Sequence, residues 1–205
     1  MRPPAPVLPL LFCALVCAAC TPRPDVVLIG VDTLRADHVG CLKEREPSLT
    51  PHIDRLCADS VRFEQAFSPI SVTGPAFATV MTGLEPGEHG VVTNRPWRLD
   101  AVSPERETLA ERLQGRGYRT AAFVSSAMLA PELGLNQGFD VYDGPQEASR
   151  NTAVSVDRAT AWLRGNKRPA LLWLHSFEPH GPWGEHGSRP DDLRVILEHA
   201  GMRVS

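Results

Sequence analysis

Residues 24–41 read PDVVLIGVDTLRADHVGC, and the fold follows from their first half. Val26 to Val31 is an unbroken apolar run rich in β-branched side chains. Such a run describes a strand buried on both faces rather than one with a wet side. It stops at Asp32, and a carboxylate directly after a buried strand stands where open α/β sheets bind their ligands, beyond the carboxyl ends of the strands.

Similar signals recur along the chain. Thr50 as N-cap, Pro51 at the first helical position and Asp54 in the first turn start a helix whose inner face carries Ile53, Leu56 and Cys57. A second strand is expected over Val61 to Phe67. A helix is expected after Pro75, running through Ala76, Phe77, Ala78, Val80 and Met81 to Gly83. An amphipathic helix over Glu105 to Gln114 closes at Gly115 and Gly117. Thr120 to Val124 and Ala170 to His175 read as apolar strands, with a helix around Thr152 to Arg164 between them. Strands alternating with helices predict an α/β domain, its mostly parallel sheet sandwiched between helices.

The chain has 205 residues, 42% of them hydrophobic, and a formal net charge of -3. That is enough material for one core. Its 21 Lys and Arg are interspersed among 24 Asp and Glu, so no basic stripe tracks a phosphate backbone, and no nucleic-acid partner is expected.

Residues 1–20 are set apart. A single early charge, Arg2, precedes an apolar run from Val7 to Ala19 that is too short to span a bilayer comfortably and ends in small residues. Cys17-Ala18-Ala19-Cys20 resembles a bacterial lipobox, which would make lipidated Cys20 the mature N-terminus. Simple cleaved secretion is the alternative. Either route exports the protein to the cell envelope, and the lipid would anchor it to a membrane. Cys41 and Cys57 then remain as the cysteines of the mature domain, as a disulfide or as two buried thiols.

Three positions at strand ends carry polar side chains with a joint use: Asp32, Thr73, and the Glu178-Pro179-His180 turn. A carboxylate can hold a hard cation, a hydroxyl bound to that cation can attack, and an imidazole can bind or protonate an oxyanion.

These residues carry a family resemblance. PDVVLIGVDTLRADHVGC followed by LTPHIDRLCADSVRFEQAFSP is similar to the opening of sulfatase catalytic domains. VTGPAFATVMTGLEPGEHGV resembles the signature around their nucleophile, and ERLQGRGYRTAAFVS, GLNQGFDVYD and LLWLHSFEPHGPW continue it in order. The resemblance covers about residues 24 to 184 and implies an alkaline phosphatase/sulfatase-like fold. It places Asp32 on a metal-ligand Asp, Thr73 on the metal-bound nucleophile, and His180 on a substrate-contacting His. His89 falls in a "P-x-x-HG" segment that fixes a loop, while Arg35 and Asp37 either brace the metal loop or form a salt-bridged loop scaffold without a part in the site. The implied cofactor is a divalent metal, calcium or zinc, and the implied substrate a small sulfate or phosphate ester.

The departures narrow the expectation. Thr73 stands where Cys or Ser would be converted to formylglycine, and Phe77 where Arg follows it. Thr33 replaces the second metal-ligand Asp, while Ser125 and Ala127 replace the Lys and His of "GKWH". A Thr nucleophile resembles the phosphodiesterase, phosphoethanolamine transferase and phosphatase branches. The family's later "S-D-H-G-E" ligands do not follow His180. Gly184-Glu185-His186-Gly187 reads as loop, and residues 185–205 as an atypical tail with Leu193, Ile196 and Leu197 on one helical face. The expectation is a C-terminally incomplete sulfatase-like region over residues 21–184. Such a chain is either an esterase or transferase awaiting its missing half, or a non-catalytic envelope lipoprotein.

Overall fold

A computed structural model describes residues 23–43, 48–94, 100–166 and 169–181. The proposed signal segment, the Gly184–Gly187 stretch and the C-terminal tail lie outside them.

Four parallel strands form one sheet: β1 (Val26–Val31), β2 (Arg119–Phe123), β3 (Val141–Asp143) and β4 (Ala170–Ser176), in spatial order β1-β4-β2-β3. β4 lies between β1 and β2, pairing Gly30 with His175 on one side and Ala122 with Trp173 on the other. Asp32 extends the first pairing by donating its N–H to Ser176 O at 2.9 Å. The helices are α1 (Gly40–Lys43), α2 (Pro51–Ala58), α3 (Thr73–Thr82), α4 (Pro86–His89), α5 (Leu109–Gln114) and α6 (Thr152–Gly165).

Each sheet face has its own core because successive strand residues point to opposite sides. Ala122, Val124 and Trp173 face Ala78 and Met81 of α3, together with Val91, Val102, Leu129, Leu133 and Leu135. Ala121, Phe123, Leu172 and Leu174 face Val156, Ala159 and Leu163 of α6. The sandwiched parallel sheet read from the sequence is thus present. β1 and the helices that open at Pro51 and Thr152 begin where the sequence placed them.

Other boundaries differ. Residues 61–67 form no strand: they run as exposed irregular chain, with Val61, Phe63 and Phe67 82%, 80% and 83% exposed. The alternation that suggests a strand needs a neighbouring strand to be satisfied, and no described strand pairs with this segment. α5 starts at Leu109 rather than Glu105, because the Thr108–Glu111 capping box fixes its first turn. α3 starts at Thr73, two residues before Pro75, so Thr73 opens a helix instead of trailing a strand. β3 was not anticipated, being only three residues long.

Cys41 and Cys57 form a disulfide. It joins α1 to α2 beside Asp54, whose carboxylate accepts from Cys41 N at 2.8 Å, from Thr50 Oγ1 at 3.0 Å and from Ser48 Oγ.

Candidate active site

Asp32 ends β1 and is 8% exposed. Thr73, at the first position of α3, donates its Oγ1 hydrogen to Asp32 Oδ2 at 2.9 Å. These residues are 41 positions apart in sequence, and the fold joins them at the carboxyl edge of the sheet. α3 is aimed there by Asn94, whose Oδ1 accepts the Gly74 N–H at 2.7 Å and so satisfies one of the helix's free N-terminal donors. Val72, its N-cap residue, has no polar side chain for that task.

A further residue meets Asp32. His175, fully buried in β4, places Nε2 3.4 Å from Asp32 Oδ2. The contact is off-line and is not a formed hydrogen bond. Burial alone would raise the Asp32 pKa, but His175 and Thr73 outweigh it, helped by the charge of His180, and the carboxyl titrates below its ordinary range. The sequence pattern makes His175 part of a strand and gives it no place among the site residues. The available signal was an imidazole inside the otherwise apolar run ALLWLHS.

Thr33 follows Asp32 with φ 54°, the left-handed region, where a β-branched side chain is an outlier. Asp and Asn adopt this conformation far more readily.

His180 stands on the rim. Its ring stacks on Phe177 with centroids 4.4 Å apart, and Nδ1 donates to Gly181 O at 2.7 Å. A pocket of about 440 Å³ opens between the loop after β1, with Thr33, Leu34, Arg35 and His38, and the turn Pro179–Gly181. Arg35 pairs with Asp37 at 2.9 and 2.6 Å, and His38 also meets Asp37 at 3.1 Å, all on the exposed side of that loop.

Several singled-out residues lie elsewhere. Glu178 turns back to the start of α6, where it accepts from Thr152 N and Thr152 Oγ1 and, at 2.9 Å, from Ser176 Oγ. Ser125 is fully buried and bonded to Ser155 Oγ at 2.9 Å. His89 accepts the Val91 N–H at Nδ1 (3.1 Å) and donates from Nε2 to Thr79 Oγ1 (3.0 Å), bracing α3 against the loop, as its segment implied. Phe77 lies over Gly30, where an added Cβ would come within 2.6 Å of its ring, and contacts Trp173 and His175.

Among the described residues no group of three or more His, Cys, Asp or Glu side chains gathers as a metal site. Asp32 and Thr73 supply two oxygen donors, a pair that suits a divalent cation but does not complete its coordination.

Comparison with known proteins agrees with this layout. The sulfatase family's sequence profile matches residues 24–192. An N-acetylglucosamine-6-O-sulfatase of Bacteroides thetaiotaomicron is 24% identical over 183 residues, covering 80% of this chain and 32% of its own length. A phosphonate monoester hydrolase of Agrobacterium radiobacter superposes with TM-score 0.65 at 21% identity, over 78% of this chain and 42% of that one. A protein solved with its substrate D-glucosamine-2-N,6-O-disulfate gives TM-score 0.67 at 23% identity, over 79% and 36%. These likenesses show the alkaline phosphatase/sulfatase fold. The chain spans about a third of the curated relative's length. It belongs to the sulfatase family, matching the N-terminal part of the catalytic domain.

Proposed function

We propose that the chain carries the nucleophile half of a metal-dependent hydrolase or transferase for sulfate or phosphate esters, with phosphate esters preferred. The observation behind this reading is the Thr73 Oγ1 to Asp32 Oδ2 contact of 2.9 Å at the carboxyl edge of the sheet. Thr cannot become the formylglycine that sulfate-ester cleavage uses in the family, and Phe77 occupies the place of the Arg beside it.

Asp32 and Thr73 would hold the divalent cation, calcium or zinc. When bound, that cation supplies the Lewis acidity that lets a hydroxyl of very high pKa act as a nucleophile near neutral pH. Asp32 orients the Thr73 hydroxyl by accepting its hydrogen. Thr73 Oγ would attack phosphorus as its proton passes to the Asp32 carboxylate that already accepts it. The bond from phosphorus to the ester oxygen would break with that oxygen taking a proton from the Nε2–H of a doubly protonated His180, and water or an alcohol would then release the phosphoryl group from Thr73 while its own proton returns to His180.

With one carboxylate at the site, the chain by itself is expected to bind metal weakly and turn over little substrate. The remaining ligands would come from a further segment or a partner chain. The non-catalytic alternative draws on the same single carboxylate. We further propose export, with Cys20 lipidated and the protein held at the envelope membrane. Mass spectrometry of the mature N-terminus tests this: a terminus at Met1 refutes processing, and one near Thr21 without lipid leaves secretion alone.

The chemistry is tested in a protein completed with the family's late ligand segment. Aryl phosphates and phosphodiesters should be cleaved faster than aryl sulfates, and Thr73→Ala should abolish both activities. Equal rates for Thr73→Ala and its parent would show that the attacking group lies elsewhere.

A further inference from the structure

His175 is fully buried, and among the described residues neither ring nitrogen has a hydrogen-bond partner. β4 is otherwise apolar as far as Leu174, so an imidazole here forfeits water that a leucine or phenylalanine would not miss. Its place is tightly set. Gly30, with no side chain, is its partner across the β1–β4 pairing, the Asp32 N–H is tied to Ser176 O, and the Phe77 ring meets the imidazole edge-on with centroids 5.0 Å apart. From that position Nε2 lies 3.4 Å from Asp32 Oδ2, the same oxygen that accepts from Thr73 Oγ1.

We propose that His175 is a positioning residue for Asp32: with its hydrogen on Nε2 it directs that proton at Oδ2 and fixes the carboxylate plane in which Thr73 and a divalent cation would meet it. The tautomer follows from the surroundings of the ring. Among the described residues Nδ1 has no acceptor, so a proton there would be a buried, unpaired N–H, the rarer kind of unsatisfied group, whereas a bare Nδ1 is only an unused acceptor. The same absence argues against Nε2 as a metal ligand, because a ligating imidazole almost always donates its other N–H to a partner. The role has added weight in this chain. Thr33 stands where the resemblance puts a second carboxylate, so Asp32 is the carboxylate that the described part of the site offers a cation and its orientation counts for more. The metal part of this inference rests on the function proposed above, whereas the contact itself does not.

The test uses the full chain and three substitutions, His175→Gln, His175→Asn and His175→Leu. Gln can return an N–H donor near Nε2, Asn can return one only near Nδ1, and Leu returns none. Long-range proton–nitrogen spectra of the imidazole should show the Nε2–H tautomer, and its resonances should move in Asp32→Asn. By zinc titration calorimetry His175→Gln should stay within about threefold of the parent, while His175→Asn and His175→Leu fall about 10–100-fold, the usual loss when the partner of a ligand is removed. An Nδ1–H tautomer, resonances indifferent to Asp32→Asn, or equal affinities for the Gln and Leu variants would reduce His175 to core packing. If the parent binds zinc too weakly for calorimetry, as one carboxylate among the described residues leads one to expect, the tautomer and the Asp32→Asn shift decide the role of His175.

Discussion

The ring of Phe77 packs edge-on against His175, with centroids 5.0 Å apart, at the position where the sulfatase signature has an arginine. One side chain therefore both removes a cation from the site and covers the residue that faces Asp32. Phe77 is half-buried over Gly30 and Trp173, so Phe77→Ala should destabilise the fold by about 2–4 kcal/mol, somewhat below a fully buried Phe truncation. Phe77→Arg should cost at least as much, because a guanidinium would lie against Trp173 without a described carboxylate opposite it. Chemical denaturation of both variants checks this. An unchanged midpoint for Phe77→Arg would show that the pocket has room for a charge.

Thr33 gives a prediction of opposite sign. Its φ of 54° is strained for a β-branched residue and ordinary for Asp or Asn. Thr33→Asn should raise stability by about 1 kcal/mol, the scale of left-handed strain in non-glycine residues. Thr33→Asp adds a second carboxylate beside Asp32 and should tighten divalent-cation binding at least about tenfold, since hard cations are selected by the number and charge of oxygen ligands. Melting curves and calorimetry read the two effects separately. A Thr33→Asp variant with unimproved metal affinity would place the side chain away from the cation.

His89 makes stability sensitive to pH. Burial lowers its pKa below the ordinary value of about 6.5, outweighing the raising effects of Glu85, of the Pro75 backbone carbonyl and of Glu88. A depressed folded pKa means that the unfolded chain takes up the proton first. The stabilisation is then complete above about pH 6.5 and is lost as pH falls through the folded value. Protonation at Nδ1 also ends its acceptance of the Val91 N–H. Between pH 7 and 5 the parent should lose stability more steeply than His89→Asn, measured by urea unfolding at each pH. Parallel slopes would assign the acid sensitivity to other groups.

The Cys41–Cys57 disulfide closes a loop across a sequence separation of 16. Constraining a loop of that size should stabilise the fold by about 3 kcal/mol. Reduction, or Cys41→Ser with Cys57→Ser, should remove most of this and loosen α1 and α2. The Asp54 hydrogen bonds to Ser48, Thr50 and Cys41 should preserve part of the local structure. Unfolding with and without reductant gives the number directly.

Strand β1, the helix at Pro51 and Asp32 were legible because each rests on local chemistry: a β-branched run, a Thr-Pro start and a carboxylate at a strand end. The union of Asp32 with Thr73 is readable from their shared place at strand ends and from the family resemblance, since nothing local links residues 41 apart. His175 escaped notice because an imidazole in an apolar strand resembles any satisfied core histidine until its lack of partners is seen. Asn94 escaped for a similar reason: its service to Gly74 depends on a loop returning to α3, and neither segment announces that return. Glu178 was grouped with His180 by adjacency, yet its carboxylate turns to the N-terminus of α6, where negative charge is favoured.

Residues 61–67 carry the last prediction. The alternation of Val61, Phe63 and Phe67 reads as a half-buried strand, yet all three side chains are at least 80% exposed. Burying one such side chain contributes about 1.5–3 kcal/mol, so the segment offers several kcal/mol to any surface that covers it. Leu49 and Leu56 add to the exposed apolar area, 57% and 36% exposed. An exposed apolar stretch that no described strand pairs with is a template for self-association. The chain should therefore associate in a concentration-dependent way, and Phe63→Lys together with Phe67→Ser should shift it toward monomer without lowering its melting temperature, because neither side chain is buried in the monomer. Sedimentation velocity over a concentration series, with thermal melts of both proteins, separates the outcomes. A marked fall in melting temperature for the double variant would show that Phe63 and Phe67 already pack within the folded chain, and a monomeric parent at all concentrations would show that the segment recruits no second copy.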